Sequence, residues 1–148
     1  MSYTERLSQS LAVVATIDPQ SATAGTYLTD AVDMLQFRRA FFILSVGALT
    51  ASNTSDFTVT GCSTSGGTYA LVTGKTATQL TKAGSDDNKQ VIIEVTAEEA
   101  AAQGFRFLKG QLITATAAAL ASVVVLAGQA RYGAASDNDL ASVDEIIA

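Results

Sequence analysis

Short apolar, β-branched runs recur along the chain, separated by clusters of Gly, Ser, Thr, Asn and Asp. Residues 10–17 (SLAVVATI) form the first run, and Asp18 and Pro19 predict that the strand stops there in a turn. Residues 26–32 (TYLTDAV) predict a weaker strand, and residues 34–38 a connecting turn. The strongest core element is 39–49 (RAFFILSVGAL). Strict alternation puts Phe42, Leu44, Val46 and Ala48 on one face and Phe41, Ile43 and Leu49 on the other. A strand apolar on both faces is expected at the centre of a sheet, covered by a second layer or by a neighbouring subunit.

Residues 56–62 (DFTVTGC) alternate, with Phe57, Val59 and Gly61 set against Asp56, Thr58 and Thr60. Residues 63–68 (STSGGT) and 83–88 (AGSDDN) read as turns. Short strands are predicted at 69–72 and 76–80, on either side of Gly74 and Lys75. Residues 89–96 (KQVIIEVT) alternate again, with Val91, Ile93 and Val95 on one face. Residues 97–103 (AEEAAAQ) give the one good internal helix signal. Thr96 can cap it, Glu98 and Glu99 sit where the helix dipole favours acids, and Gly104 can end it. Residues 105–114 and 120–132 complete a set of roughly eight strands, which predicts an all-β single domain, a β-sandwich or jelly roll with one short crossover helix.

The ends differ from this middle. Residues 1–9 read as an N-terminal arm, 10–132 as the β-domain and 133–148 as a C-terminal arm. Leu140, Val143 and Ile147 fall at i, i+3 and i+7, so they share one face if that arm is helical. A helix of about ten residues is marginal alone in water. Extended, the sixteen residues of the arm could reach about 53–58 Å, enough to cross onto a neighbour. A tail docked on its own domain fits the same sequence. The candidate partner-contact residues are Tyr3, Arg6 and Leu7 in front, and Leu140, Val143, Ile146 and Ile147 behind.

Composition adds that little of the surface is defended by charge. Charged residues make up 16% of the chain, against roughly 25% in ordinary soluble domains. Surface buried against other subunits is one outcome of that deficit. The net charge is −5, and the nine basic residues are scattered from Arg6 to Arg131 without a stripe, so no nucleic-acid partner is expected. Residues 110–130 are uncharged but too polar and too β-branched for a spanning helix, so no membrane partner is expected either. The polar opening residues do not read as a signal peptide.

Candidate chemistry is sparse. The chain has no histidine, which removes an imidazole base and the common zinc sites, and its single cysteine, Cys62, reads as a small strand side chain. The carboxylate pairs Asp86/Asp87, Glu98/Glu99 and Asp144/Glu145 fall in a turn, a first helical turn and the tail. Gly74-Lys75-Thr76 lacks the preceding glycine of a phosphate-binding loop, because Tyr69 stands there. Asp137-Asn138-Asp139 lacks the glycine and distal Glu of a calcium loop, and Asp86, Asp87 and Asn88 are a weak calcium candidate that reads first as a plain turn. Asn53-Thr54-Ser55 fits the glycosylation pattern by chance. No catalytic residue, metal ligand or cofactor is expected, and the chain is expected not to be an enzyme.

Several stretches resemble the small β-rich virion proteins of tailed bacteriophages that accompany the major capsid protein, often as head decoration (cement) proteins. They are 11–19 (LAVVATIDP), 56–69 (DFTVTGCSTSGGTY), 79–94 (QLTKAGSDDNKQVIIE), 104–110 (GFRFLKG) and 130–147 (ARYGAASDNDLASVDEII). The resemblance implies a β-sandwich bound at symmetry axes or subunit joins on the capsid surface, stabilising the shell against internal DNA pressure. Its implied partners are the major capsid protein and further copies of itself, as a trimer or dimer, with synthesis in the bacterial cytoplasm. Such domains often carry an Asp-Gly hairpin turn where this chain has Gly66 and Gly67, which would supply the positive φ of that turn. A tail, neck or baseplate component of the same class of particle is the second expectation. A carbohydrate- or receptor-binding module is the third, with Tyr3, Tyr27, Tyr69 and Tyr132 as its open aromatics.

Overall fold

A computed structural model of the chain describes residues 6–133, 135, 138–139 and 141–147. The elements are α1 (Leu7–Ser10), β1 (Leu11–Ala22), β2 (Gly25–Leu28), β3 (Val32–Asp33), β4 (Phe37–Leu49), β5 (Thr54–Cys62) and β6 (Ala70–Thr76). They continue with β7 (Leu80–Thr81), β8 (Gln90–Thr96), α2 (Ala97–Ala102), β9 (Phe107–Ala115) and β10 (Ala119–Ala130). The protein is an all-β sandwich. One sheet has the order β1-β10-β4-β8, and the other β2-β9-β5-β6 with β3 added on β9 and β7 on β5. Every pairing is antiparallel. Setting aside the two-residue strands β3 and β7, the chain pairs first with last: β1 with β10, β2 with β9, β4 with β8, β5 with β6. Successive pairs of this nested ribbon alternate between the two layers.

Alternation builds the core. Ala40, Phe42, Leu44 and Val46 of β4, with Val123, Val125 and Ala127 of β10, face Phe57 and Val59 of β5 and Leu108 and Leu112 of β9. Phe42 is fully buried, and a glycine opposite makes room for it: a Cβ on Gly110 would lie 3.1 Å from Phe42 Cδ1. The helix α2 follows the cap chemistry read from the sequence. Thr96 Oγ1 accepts from the Glu99 N–H at 3.2 Å, the Glu99 carboxylate accepts from the Thr96 N–H at 2.9 Å, and Gly104 takes φ +78° just beyond the end.

Five local expectations are corrected. The first strand does not stop at Pro19 but runs through it to Ala22, with a register shift between Ile17 and Gln20. β1 is an edge strand, and a proline's missing N–H is tolerated at an edge or a bulge. Leu49 joins the buried face while Ala48 is exposed, because the β4–β10 register shifts by one residue between Val46 and Leu49. Gly74 and Lys75 do not separate two strands: β6 runs through both, with Gly74 at φ +78°. Gly66 and Gly67 are absent from the positive-φ residues; Gly67 is needed for space, since a Cβ there would sit 2.5 Å from Cys62 Sγ. Within the N-terminal stretch, residues 7–10 form one helical turn, α1.

Salt bridges fasten the margins of the sandwich. Arg106 grips Asp33 with two nitrogens, at 2.9 and 2.7 Å, and holds its carboxyl below the usual range. Hydrogen bonding from Lys82 and the Leu49 N–H lowers Asp87, and the Thr96 N–H followed by Lys75 lowers Glu99. Depressed carboxyl values stabilise the fold above the unfolded pKa of about 4 and lose that contribution as pH falls through the folded values. Melting temperature is therefore expected to fall on acidification below about pH 4.5, and Arg106→Gln to flatten that acid limb while lowering stability at neutral pH. An unchanged acid limb in the variant contradicts the assignment to Asp33. Phe42→Ala is expected to cost about 3–5 kcal/mol in urea unfolding; a loss of under about 1 kcal/mol would place the ring outside the core.

Candidate functional site

The inner face of the four-stranded sheet is spent on the core, yet its outer face is also apolar. Cross-strand register aligns Val13, Leu126, Phe41 and Glu94 in one row and Thr16, Val124, Ile43 and Ile92 in the next. Phe41 is 36% exposed, Val124 37% and Ile92 59%. At the β4 N-terminal end of this face lies a groove of about 880 Å³, lined by Leu7, Leu11, Phe41, Ile43, Ile92 and Leu126, with Arg38 and Arg39 beside them. Arg39 is held by Glu94 at 2.8 Å and Gln129 at 3.2 Å. Leu120, half exposed, extends the apolar surface toward Gly47.

The edges of the same sheet are guarded. On the β1 edge, the Val13 N–H donates to Asn138 Oδ1 at 2.9 Å and the Val13 carbonyl accepts from the Asp139 N–H at 2.6 Å. The Ala135 N–H donates to the Gln9 carbonyl, and the hydroxyls of Thr16 and Ser142 meet at 2.8 Å. On the β8 edge, Lys75 Nζ donates to the Glu94 carbonyl at 2.7 Å while pairing with Glu99. Blocked edges oppose strand addition. The open surface of this sheet is its face.

The other sheet carries polar groups opposite its core face, among them the buried Thr58 and Thr60. Thr58 bonds the Lys75 carbonyl and Thr76, Thr60 bonds the Lys109 carbonyl, and Gln79 holds Asp56. Leu28, Leu71 and Ile113 are exposed among these groups.

Of the sequence-predicted contact residues, Tyr3 and Leu140 lie outside the described residues. Leu7 is 71% exposed at the rim of the groove, whereas Arg6 accepts at its carbonyl from Gln9 and does not line the groove. Val143 is half-buried, and Ile146 and Ile147 are exposed. In the tail the Asp139 carbonyl accepts from the Ser142 and Val143 N–H groups, with no helix among its described residues. The sequence pattern marked Phe41 and Ile43 as a second apolar face of β4 without making them contact residues, and it did not single out Ile92, Val124 or Leu126. Their signal was the same one: adjacent apolar residues in strands, as in Ile92-Ile93 and Val123 to Leu126.

Candidate chemical groups are occupied structurally. The Asp86 carboxylate accepts from the Thr81 N–H, and Asp87 from the Leu49 N–H and Lys82. Asn53 is buried, donating to the Ala117 carbonyl and accepting from Ser55. Cys62 is buried, with its thiol lowered chiefly by the Thr64 backbone. No cluster of three potential metal ligands occurs among the described residues, and no described helix is long and apolar enough to cross a membrane.

No protein-family model matches the chain, and no curated protein or solved structure matches it either. Ile92→Lys is expected to leave the melting temperature of the free domain nearly unchanged, within roughly 0.5 kcal/mol of stability, because the side chain touches solvent there. A loss of several kcal/mol would mean that the face is already buried within the fold.

Proposed function

We propose that the chain is a structural virion protein that binds the outside of a tailed-phage capsid and stabilises the shell by bridging capsid subunits. One observation carries this reading: an apolar sheet face left open on a sheet whose two edges are guarded. A sandwich domain that only had to be soluble would place charge on that side, as alternating strands ordinarily do. Exposed contiguous apolar surface marks an interaction site.

Two further observations support the shell. The nested pairing of strands, alternating between layers, has the winding of a jelly roll, an architecture that recurs in virus shells as well as in lectins and cupins. The stretches resembling phage decoration proteins supply the kind of particle. Weak individual contacts suffice there, because many linked copies on a lattice act at high effective concentration. A carbohydrate-binding role is less well supported. Tyr27 bonds the Thr23 carbonyl, Tyr69 stacks under Lys109 and bonds the Ser65 carbonyl, and Tyr132 is the one broadly exposed tyrosine among the described residues.

The test is the copy number of this protein per major capsid subunit in purified particles, by quantitative mass spectrometry. A simple lattice ratio is expected. A few to a few dozen copies per particle would instead favour the neck or tail, and absence from particles would sink the virion reading.

A further inference from the structure

We propose that residues 143–147 (VDEII) of a second copy of this chain seat in the groove beside Arg38 and Arg39. This deepens the reading above, in which the outer sheet face is a subunit interface, by naming one occupant of part of it.

Three observations converge. First, the tail carries apolar side chains that its own fold does not use: Ile146 is 51% exposed and Ile147 87%. Among the described residues, the bonds that hold the tail on α1 and β1 are made earlier, by Ala135, Asn138, Asp139 and Ser142. Second, charge is complementary. Asp144 and Glu145 sit next to those isoleucines and pair with no described cation, while the groove presents Arg38, which pairs with no described acid, and Arg39. An acidic, isoleucine-ended segment and a basic, apolar groove match in both respects. Third, direction carries the tail away from the arginine end of the groove within one copy. Ala135 lies against Gln9, Asn138 and Asp139 against Val13, and Ser142 against Thr16, so the tail runs alongside β1 in the same direction. It leaves the Leu11–Gly128–Arg39 row behind. The arginines of one copy are therefore reached by the tail of another.

Disulfide trapping between two singly substituted chains tests this. Full-length Ile92→Cys is mixed with full-length Ile146→Cys or Ile147→Cys under mild oxidation, the native Cys62 being buried. The expected product is a covalent dimer joining the two different chains, in excess of either self-linked dimer. Arg38→Glu with Arg39→Glu in the groove chain is expected to cut its yield about tenfold, equivalent to about 1.4 kcal/mol. Asp144→Lys with Glu145→Lys in the tail chain is expected to restore it. Absence of the mixed dimer with both tail positions would overturn the proposal. So would a chain carrying Ile92→Cys and Ile147→Cys together that closes on itself with a yield independent of dilution, since that assigns the groove to its own tail. Both outcomes leave the capsid reading standing, because that reading is decided by copy number in particles.

Discussion

β4 and β10 are apolar on both sides, and a two-layer sandwich can bury only one side of a sheet. Phe42, Leu44, Val123 and Val125 go into the core, so Phe41, Ile43, Val124 and Leu126 must face the other way. Burial of one large apolar side chain is worth about 1.5–3 kcal/mol, and the outer residues leave part of that unrealised in the isolated chain. Much of what is distinctive about the molecule follows from this imbalance. The core fixes the fold, and the surplus apolar residues remain exposed on the outer face of the four-stranded sheet.

The winding concentrates that surplus. Pairing the first long strand with the last, and inserting β4 and β8 beside them, places both two-faced strands at the middle of one sheet. Their backbone groups are then used within the sheet, and only side chains remain to be covered. The flanking strands are made poor templates for further pairing, β1 by the returning C-terminal segment and β8 by Lys75. The same salt bridge from Lys75 to Glu99 ties β6 to α2, so guarding the edge and closing the sandwich are one arrangement. Strand addition is opposed at both edges of this sheet.

Much of this was legible in the sequence where the physics is local. The cap of α2 was readable from Thr96, Glu99 and Gly104, and the double-sided character of β4 from Phe41-Phe42-Ile43-Leu44. Bulges were not legible. The turn from Leu49 into the core depends on one extra residue opposite Ala119 to Ala121, and the passage of β1 through Pro19 depends on its being an edge strand. Both are properties of pairing partners far away in the chain. The turn read at 63–68 is present, closed by the Gly67 N–H on the Thr64 carbonyl, but its sequence did not announce that Gly67 clears space for Cys62 and does not supply a positive φ. The outer face was legible in part: Phe41 and Ile43 announced a second apolar side of β4, but not that Ile92 and Val124 would sit in register with Ile43. The tail contacts on β1 rest on single hydrogen bonds between residues about 125 apart, for which a sequence pattern carries no signal.

The central claim is that the outer face of the four-stranded sheet is buried by protein subunits in the assembled state. Hydroxyl-radical footprinting of the free chain against the assembled particle tests it most directly. The account predicts that labelling of Phe41, Ile92 and Leu126 drops on assembly while that of Leu28 and Ile113, on the opposite sheet, stays the same. Equal labelling of the first three residues in both states, or protection confined to the opposite sheet, would contradict it.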